Sequence, residues 1–326
     1  MLLFYGVFFP LYVILLSIAQ GVAIFEVLSY GYVWIFFLLV PAISYYNIDI
    51  TKPIIVSTAL VAIFTLSIAV LDIFSIVSFF ENPIRLFFTQ MNEMQSGKGI
   101  YSTFGYSIFF KASPLIYFSL AYMMKRKKYI IAITLVLSLF ASGTRANAIV
   151  AIFIVVGTPI LFFESANKKA IVWSIVIAIC VTILPTFIKY MLEVSSIKSG
   201  SDTLKMDDMV SVVKFMNDEP LRYLLGSGVG SYFYSGGREK MVNIIEISYL
   251  DYFRQVGLIG FIPFIVFILY PFFKISSDKK WLLIPYLGYL ATAATNPLLI
   301  SSTAFVVYIV MYDSCWGKSK MINMKS

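Results

Sequence analysis

Glu246 opens the stretch Glu246-Ile247-Ser248-Tyr249-Leu250-Asp251-Tyr252-Phe253-Arg254-Gln255, which runs straight into an apolar segment. A carboxylate at the half-desolvated mouth of such a segment suits the task of a general base for an alcohol. A carboxylate at a helix start is also favoured by the helix dipole, with no chemistry involved. Helical spacing puts Glu246, Leu250 and Arg254 on one face, with Tyr249 and Phe253 beside them. At about 1.5 Å of rise per residue, Glu246 and Arg254 lie about 12 Å apart along the axis. They are too distant to neutralise each other, whereas Asp251 and Arg254 are spaced for a local i,i+3 ion pair. Glu246 has no such local partner, and it is the first candidate for chemistry.

The residues just upstream add cations and a turn. Gly226, Gly228 and Gly230 spell G-x-G-x-G without the strand-turn-helix context of a nucleotide site. They make either a tight turn or a nest of backbone amides that binds an anion. Arg222 precedes them, and the charged tract Arg238 to Lys240 follows. Earlier in the chain, Arg145 follows Ser142-Gly143-Thr144 at the end of a short apolar run. Its guanidinium either snorkels to lipid headgroups or binds a phosphate through two parallel hydrogen bonds. Asn296-Pro297 with Ser301-Ser302 breaks the last apolar hairpin, either as ordinary helix-start grammar or as a cavity lining.

Several chemistries are excluded by what is missing. The chain has no histidine, which removes the Ser-His-Asp triad, a histidine base and nearly all histidine-ligated metal sites. Cys180 and Cys315 are far apart and lack CxxC spacing, so neither a disulfide framework nor a zinc site is expected. No cofactor, no metal and no nucleic acid is expected. The net charge of +8 sits in short basic clusters between apolar runs, as the positive-inside rule places them.

The elements that must position these groups are hydrocarbon-compatible helices. Of 326 residues, 60% are hydrophobic and 13% charged, and the mean hydropathy is +0.88; soluble domains carry about 25% charged residues. The expected fold is all-α, a polytopic integral membrane protein forming one membrane-embedded domain over 1–326. On a ruler of about twenty residues per crossing, candidate spans fall near 2–23, 30–46, 53–76, 105–123, 129–143, 146–163, 170–190, 250–273, 281–295 and 298–313. That makes about ten transmembrane helices. The N-terminus, Met1-Leu2-Leu3-Phe4, lacks a basic n-region and reads as the first of them rather than a cleaved signal.

Lys125-Arg126-Lys127-Lys128, Lys168-Lys169, Lys274 with Lys279-Lys280, and the tail lysines 318, 320 and 325 mark the cytoplasmic side, with both termini inside. Outside then lie a loop near 79–104, the turn at Ser142–Arg145, and a long extracytoplasmic segment at about 191–245. Phe87-Phe88 and Tyr101–Phe104 read as interfacial anchors, and Lys111 as lying two turns inside a span. Met206, Met209, Val210, Val213 and Met216 recur at helical spacing, as in a short amphipathic helix on the membrane surface or over a cavity, with Asp207-Asp208 at its start.

Four stretches together resemble a family: Ser142-Gly143-Thr144-Arg145 after an apolar run; Gly226-Ser227-Gly228-Val229-Gly230-Ser231-Tyr232-Phe233; Glu246-Ile247-Ser248-Tyr249-Leu250 followed by Gly257-Leu258-Ile259-Gly260; and Asn296-Pro297-Leu298 with Ser301-Ser302. From about 130 to 312 the chain is similar to the bacterial O-antigen and capsular polysaccharide polymerases of the Wzy type, related to the O-antigen ligases. The resemblance implies a metal-independent glycosyltransferase at the outer face of the bacterial cytoplasmic membrane, multi-pass, working on undecaprenyl-diphosphate-linked oligosaccharide. The growing glycan leaves the diphosphate and is transferred to a sugar hydroxyl of another lipid-linked repeat unit, for O-antigen, capsule or exopolysaccharide. Membrane lipid, a chain-length regulator and a flippase are the implied partners. The related ligases carry a His-Asn-x-Tyr-Leu-like motif, and Glu246 stands where its histidine would, which argues against a ligase. On this reading Glu246 is the base and Arg145 the first cation for the diphosphate. Arg238, Arg222, Gly228, Gly230, Tyr249 and Asn296 bind substrate. The rival readings are a lipid-linked oligosaccharide transporter or flippase and a ligase-like transferase.

Overall fold

The computed structural model describes residues 4–46, 48–98, 105–162 and 199–315. The chain is mostly helical, with two short antiparallel hairpins among the described residues. It divides into two compact units, one of residues 1–50, 200–280 and 293–326, the other of residues 51–199 and 281–292. The expected span at 170–190 with Cys180, the Lys168-Lys169 cluster, Tyr101–Phe104 and the tail lysines lie outside the described residues.

Among the described residues, two helices, Thr51–Ile73 and Ser248–Lys274, are long and apolar enough to cross a membrane. Five more apolar stretches among the described residues, Phe4–Ala19, Phe36–Tyr46, Tyr129–Ala141, Arg145–Thr158 and Ser302–Cys315, are helical but shorter. The expected span at 105–123 is not one helix. Tyr106–Phe110 pairs as a strand with Met94–Lys98, and helix begins only at Ile116, after a turn through Pro114. Proline favours a first helical turn and cannot continue a strand ladder. Lys111 therefore follows a strand and is exposed, its N–H donating to the Glu93 carbonyl at 3.0 Å, instead of lying within a helix.

The second unit is built around that hairpin. Met94, Ile108 and Phe110 pack with Ile68, Ala69 and Phe79, while Phe88 lies against Phe64 and Phe110. Of the two expected anchors, Phe87 is exposed and Phe88 joins this core. The Asp72 carboxylate binds Lys98 at 2.6 Å, accepts the Tyr106 hydroxyl, and accepts the Phe79 N–H at 2.8 Å. It ties the end of the long helix to the hairpin.

Deeper in this unit, Tyr117, Asn147, Ser142 and Thr292 form a buried polar network. Tyr117 donates to Asn147 Oδ1 and lies 2.9 Å from the Thr292 hydroxyl, and Asn147 Nδ2 donates to Ser142 Oγ at 2.7 Å. Removing one member costs its direct partners a buried hydrogen bond within the network. Asn147→Ala is expected to lower stability by about 2–3 kcal/mol, read as a fall in the thermal midpoint of the purified protein.

The first unit has an aromatic core. Trp34 packs against Phe9, Phe267 and Phe305, and Tyr312 meets both Phe37 and Phe267, with ring centroids 4.8–5.6 Å apart. Aromatic pairs of this geometry add about 0.5–1.5 kcal/mol each beyond their buried area. Part of the aromatic excess thus serves packing, where the composition points to the membrane interfaces.

The long segment expected as a loop with one short helix is structured throughout its described part, from residue 199. A helix spans Ser199–Asn217, a single turn follows at Leu221–Leu225, and strands Phe233–Ser235 and Lys240–Val242 make the second hairpin. Val212 and Met216 are buried against Phe233, Val242 and Ile245, so one helix face docks on the hairpin. Met206, Met209, Val210 and Val213 are exposed beside that face. Within the described helix Ser199–Asn217, Asp207 and Asp208 lie in the middle and not at the dipole end. Asp208 is buried and serves the hairpin instead.

Candidate functional site

The apolar helix begins at Ser248, with Ile247 as its cap, so Glu246 precedes it. The shared helical face of Glu246, Leu250 and Arg254 does not form. Glu246 belongs to the loop leading from the second hairpin, and this places it against residues from elsewhere in the unit. Lys205 Nζ lies 3.1 Å from one carboxylate oxygen, and Arg238 Nη2 lies 3.9 Å from the other. The carboxylate without a local partner has two distant ones.

These groups face a cavity of about 360 Å³ lined by Lys205, Asp208, Gly237, Arg238, Lys240 and Glu246. Three cations stand against two carboxylates. Asp208 holds the cationic side in place: its carboxylate accepts from Ser235 Oγ and from Arg238 Nε at 3.2 Å, and Ser235 Oγ accepts the Arg238 N–H at 3.0 Å. Buried and bonded on both oxygens, Asp208 aims the arginine. The Glu246 side chain is 43% exposed, so its own ion pairs are worth only about 0.2–1 kcal/mol each. An incoming anion can take over Lys205 and Arg238 at small cost and free the carboxylate to accept a proton.

Lys205 also donates to the Thr295 carbonyl at 3.4 Å, and Ser248 Oγ donates to the Asn296 carbonyl. The Asn296-Pro297 turn is therefore set beside the Glu246 loop, as a backbone contact. Neither Asn296 nor Tyr249 lines this cavity.

The glycine turn has a different role from an anion nest. Gly226, Gly228 and Gly230 all have positive φ, between 79° and 86°, where side-chain-bearing residues are disfavoured. The N–H groups of residues 226–229 and 231 all go to protein acceptors: Arg222, Arg254 and Gln255 carbonyls, Ser17 Oγ and the Gly228 carbonyl. Gly228 in particular is packed against Ser17 and Val22 and presents no amide to a ligand. The tight-turn alternative is the one the structure shows.

Gly230 and Arg222 line a second cavity, of about 330 Å³, with Gln20, Glu26, Ser227 and Tyr232. They are not with Glu246. Arg222 is held by Glu219 at 3.1 Å and by the Phe215 carbonyl at 2.7 Å, with its guanidinium 4.0 Å over the Phe215 ring. The Glu26 charge, 3.3 Å from the Tyr232 hydroxyl, raises that phenol's pKa above its ordinary value.

The Asp251–Arg254 pair lines neither cavity and is formed at i,i+3 spacing with contacts of 2.9 and 3.0 Å. Arg254 is wholly buried, 0% exposed, and it does more than neutralise Asp251. It also reaches Ser227, Ser231 and the Asn243 carbonyl. Breaking a buried pair from one side costs about 3–5 kcal/mol because the partner charge is stranded.

Arg145 belongs to the other unit, as the first residue of the helix Arg145–Phe162. Gly143 before it has φ of 72°, and a Cβ there would come within 2.6 Å of Ser107 and Tyr106 backbone atoms. Arg145 lines neither cavity. Spacing missed Lys205 and Asp208, since only the fold carries them to Glu246. The one trace they leave in sequence is charge on an otherwise apolar-striped helix.

Comparison with family models, with curated proteins and with solved structures returned no match.

Proposed function

We propose that this chain is a polysaccharide polymerase that extends a lipid-linked glycan, with Glu246 as the base. The observation that carries the reading is one cavity in which a carboxylate stands 3.1 Å from Lys205 and 3.9 Å from Arg238. Joining two diphosphate-linked saccharides asks for these two kinds of group. The acceptor hydroxyl oxygen attacks the anomeric carbon, and its proton passes to Glu246. The bond from that carbon to the diphosphate oxygen breaks, and the electron pair leaves on the diphosphate. Lys205, Arg238 and Lys240 stabilise the charge that develops there. Diphosphate needs cations more than it needs an acid.

The two apolar helices of crossing length support membrane placement. The multi-pass arrangement in the bacterial cytoplasmic membrane, with both termini inside and the cavity outside, is part of the same proposal. So are a flippase that delivers the lipid-linked repeat and a regulator of chain length.

Deleting the gene is expected to leave surface glycan limited to a single repeat unit. Loss of every lipid-linked repeat from the outer face would point to a flippase instead. Purified protein given lipid-linked repeat units, without nucleotide sugar, is expected to lengthen them; absence of growth would refute the polymerase reading.

A further inference from the structure

We propose that Arg254 is the positioning residue for Glu246, yoking the loop that carries the carboxylate to the glycine turn that walls the second cavity. The inference rests on the reading of Glu246 as the base. One buried guanidinium spans both parts. Its Nη2 donates to the Asn243 carbonyl at 3.0 Å, in the loop just before Glu246. Its Nη1 donates to Ser231 Oγ at 2.8 Å, to the Ser231 carbonyl at 3.1 Å and to Ser227 Oγ at 3.2 Å, in the glycine turn. Its face lies 4.6 Å from the Phe233 ring centroid, at the first strand of the hairpin that presents Arg238.

The partner side closes the same way. Asp251 takes Arg254 on one oxygen and Gln255 Nε2 on the other at 2.9 Å, and accepts a backbone hydrogen bond from Ile245, the residue directly before Glu246. Every donor of the guanidinium fork is thus committed to a fixed acceptor, and a planar fork holds such a set where a flexible ammonium cannot. Ser227 and Ser231 line the second cavity. A displacement of the glycine turn is therefore passed through one rigid group to the backbone that aims the carboxylate. The Glu246 side chain is itself partly exposed, and the chain on either side of it is anchored by Ile245 and Ile247 in the cluster that includes Phe233, the ring on which the Arg254 guanidinium lies.

Arg254→Lys tests this in two readouts. The first needs no reaction: Cys180→Ala and Cys315→Ala with Glu246→Cys, labelled by an anionic thiosulfonate. Arg254→Lys is expected to change the labelling rate at position 246 by about tenfold through local loosening, while Met206→Cys on the exposed helix face labels at the parent rate. The second uses the protein with Glu246 intact: kcat for chain growth is expected to fall about 100-fold with KM within about threefold, as for a misplaced catalytic group. Labelling and kcat both at parent values in a folded Arg254→Lys protein would overturn the yoke. Should that variant not fold, Ser227→Ala with Ser231→Ala removes the side-chain acceptors and leaves the ion pair. Its labelling at 246 is then expected to shift about threefold, and no shift would overturn the proposal. If the parent protein shows no chain growth at all, the polymerase reading falls, and the labelling arm still decides the yoke.

Discussion

Glu246→Gln is expected to lower kcat for chain growth by about 10²–10⁴-fold, the usual contribution of a positioned general base, while KM stays constant or falls. The sign of the KM change follows from the cavity. Glutamine keeps the shape but removes one negative charge from a set of three cations and two carboxylates, so an anionic donor meets a more positive cavity and no competitor for Lys205. A carboxylate that only held Lys205 and Arg238 in place would behave oppositely, with kcat preserved and KM altered. Steady-state kinetics on lipid-linked repeat units, with expression checked against the parent, separates the two. A variant with near-parental kcat would remove Glu246 from the mechanism.

The second large effect is on folding. Gly226 and Gly257 approach backbone to backbone. Gly257, at φ 61° and ψ −173°, interrupts the Ser248–Lys274 helix, and Gly226 sits at φ 79° and ψ −175°. Both lie in a region that is essentially glycine-only and costs other residues about 1–3 kcal/mol. A Cβ on Gly226 would come within 2.3 Å of the Gln255 carbonyl oxygen, and one on Gly257 within 2.3 Å of the Gly226 nitrogen. Neither neighbour is a flexible side chain that can move aside. Gly257→Ala is expected to cost more than about 3 kcal/mol, a large share of a typical stability of about 5–15 kcal/mol, and to appear as loss of folded protein in detergent. Gly97→Ala, where nothing lies within 4 Å, is expected to stay within about 0.5 kcal/mol of the parent.

How far these features can be read without coordinates depends on the range of the interaction. The Asp251–Arg254 pair is a matter of three residues along one helix, and spacing alone identifies it. The positive φ values of the glycine turn follow from three glycines in five residues. The first hairpin is different. Tyr106–Phe110 is a short apolar run, which periodicity cannot assign to strand or helix, and its pairing with Met94–Lys98 decides the matter. The Met206–Met216 periodicity correctly marks a helix but not which side docks. Val212 and Met216 turn inward because Phe233, Val242 and Ile245 offer them a partner surface. The site is less legible than the fold for the same reason. Glu246, Lys205 and Arg238 come from a loop, a helix and a hairpin turn, and no local pattern announces that they meet. Gly228 and Arg222, equally conspicuous in sequence, are spent on holding the turn and on Glu219.

The break at Gly257 bears on the order in which the chain is made. Just before it, the Arg254 carbonyl accepts the Ser227 N–H and the Gln255 carbonyl accepts the Gly228 N–H, each at 2.9 Å. Hydrocarbon offers such carbonyls no donor. Their donors come from a segment synthesised earlier, which on the proposed membrane placement stays outside the apolar phase until the helix arrives. On the proposed membrane placement, handover of the Ser248–Lys274 helix to lipid and closure of the glycine turn become one event, in which the later-made helix is completed by a splice already waiting for it.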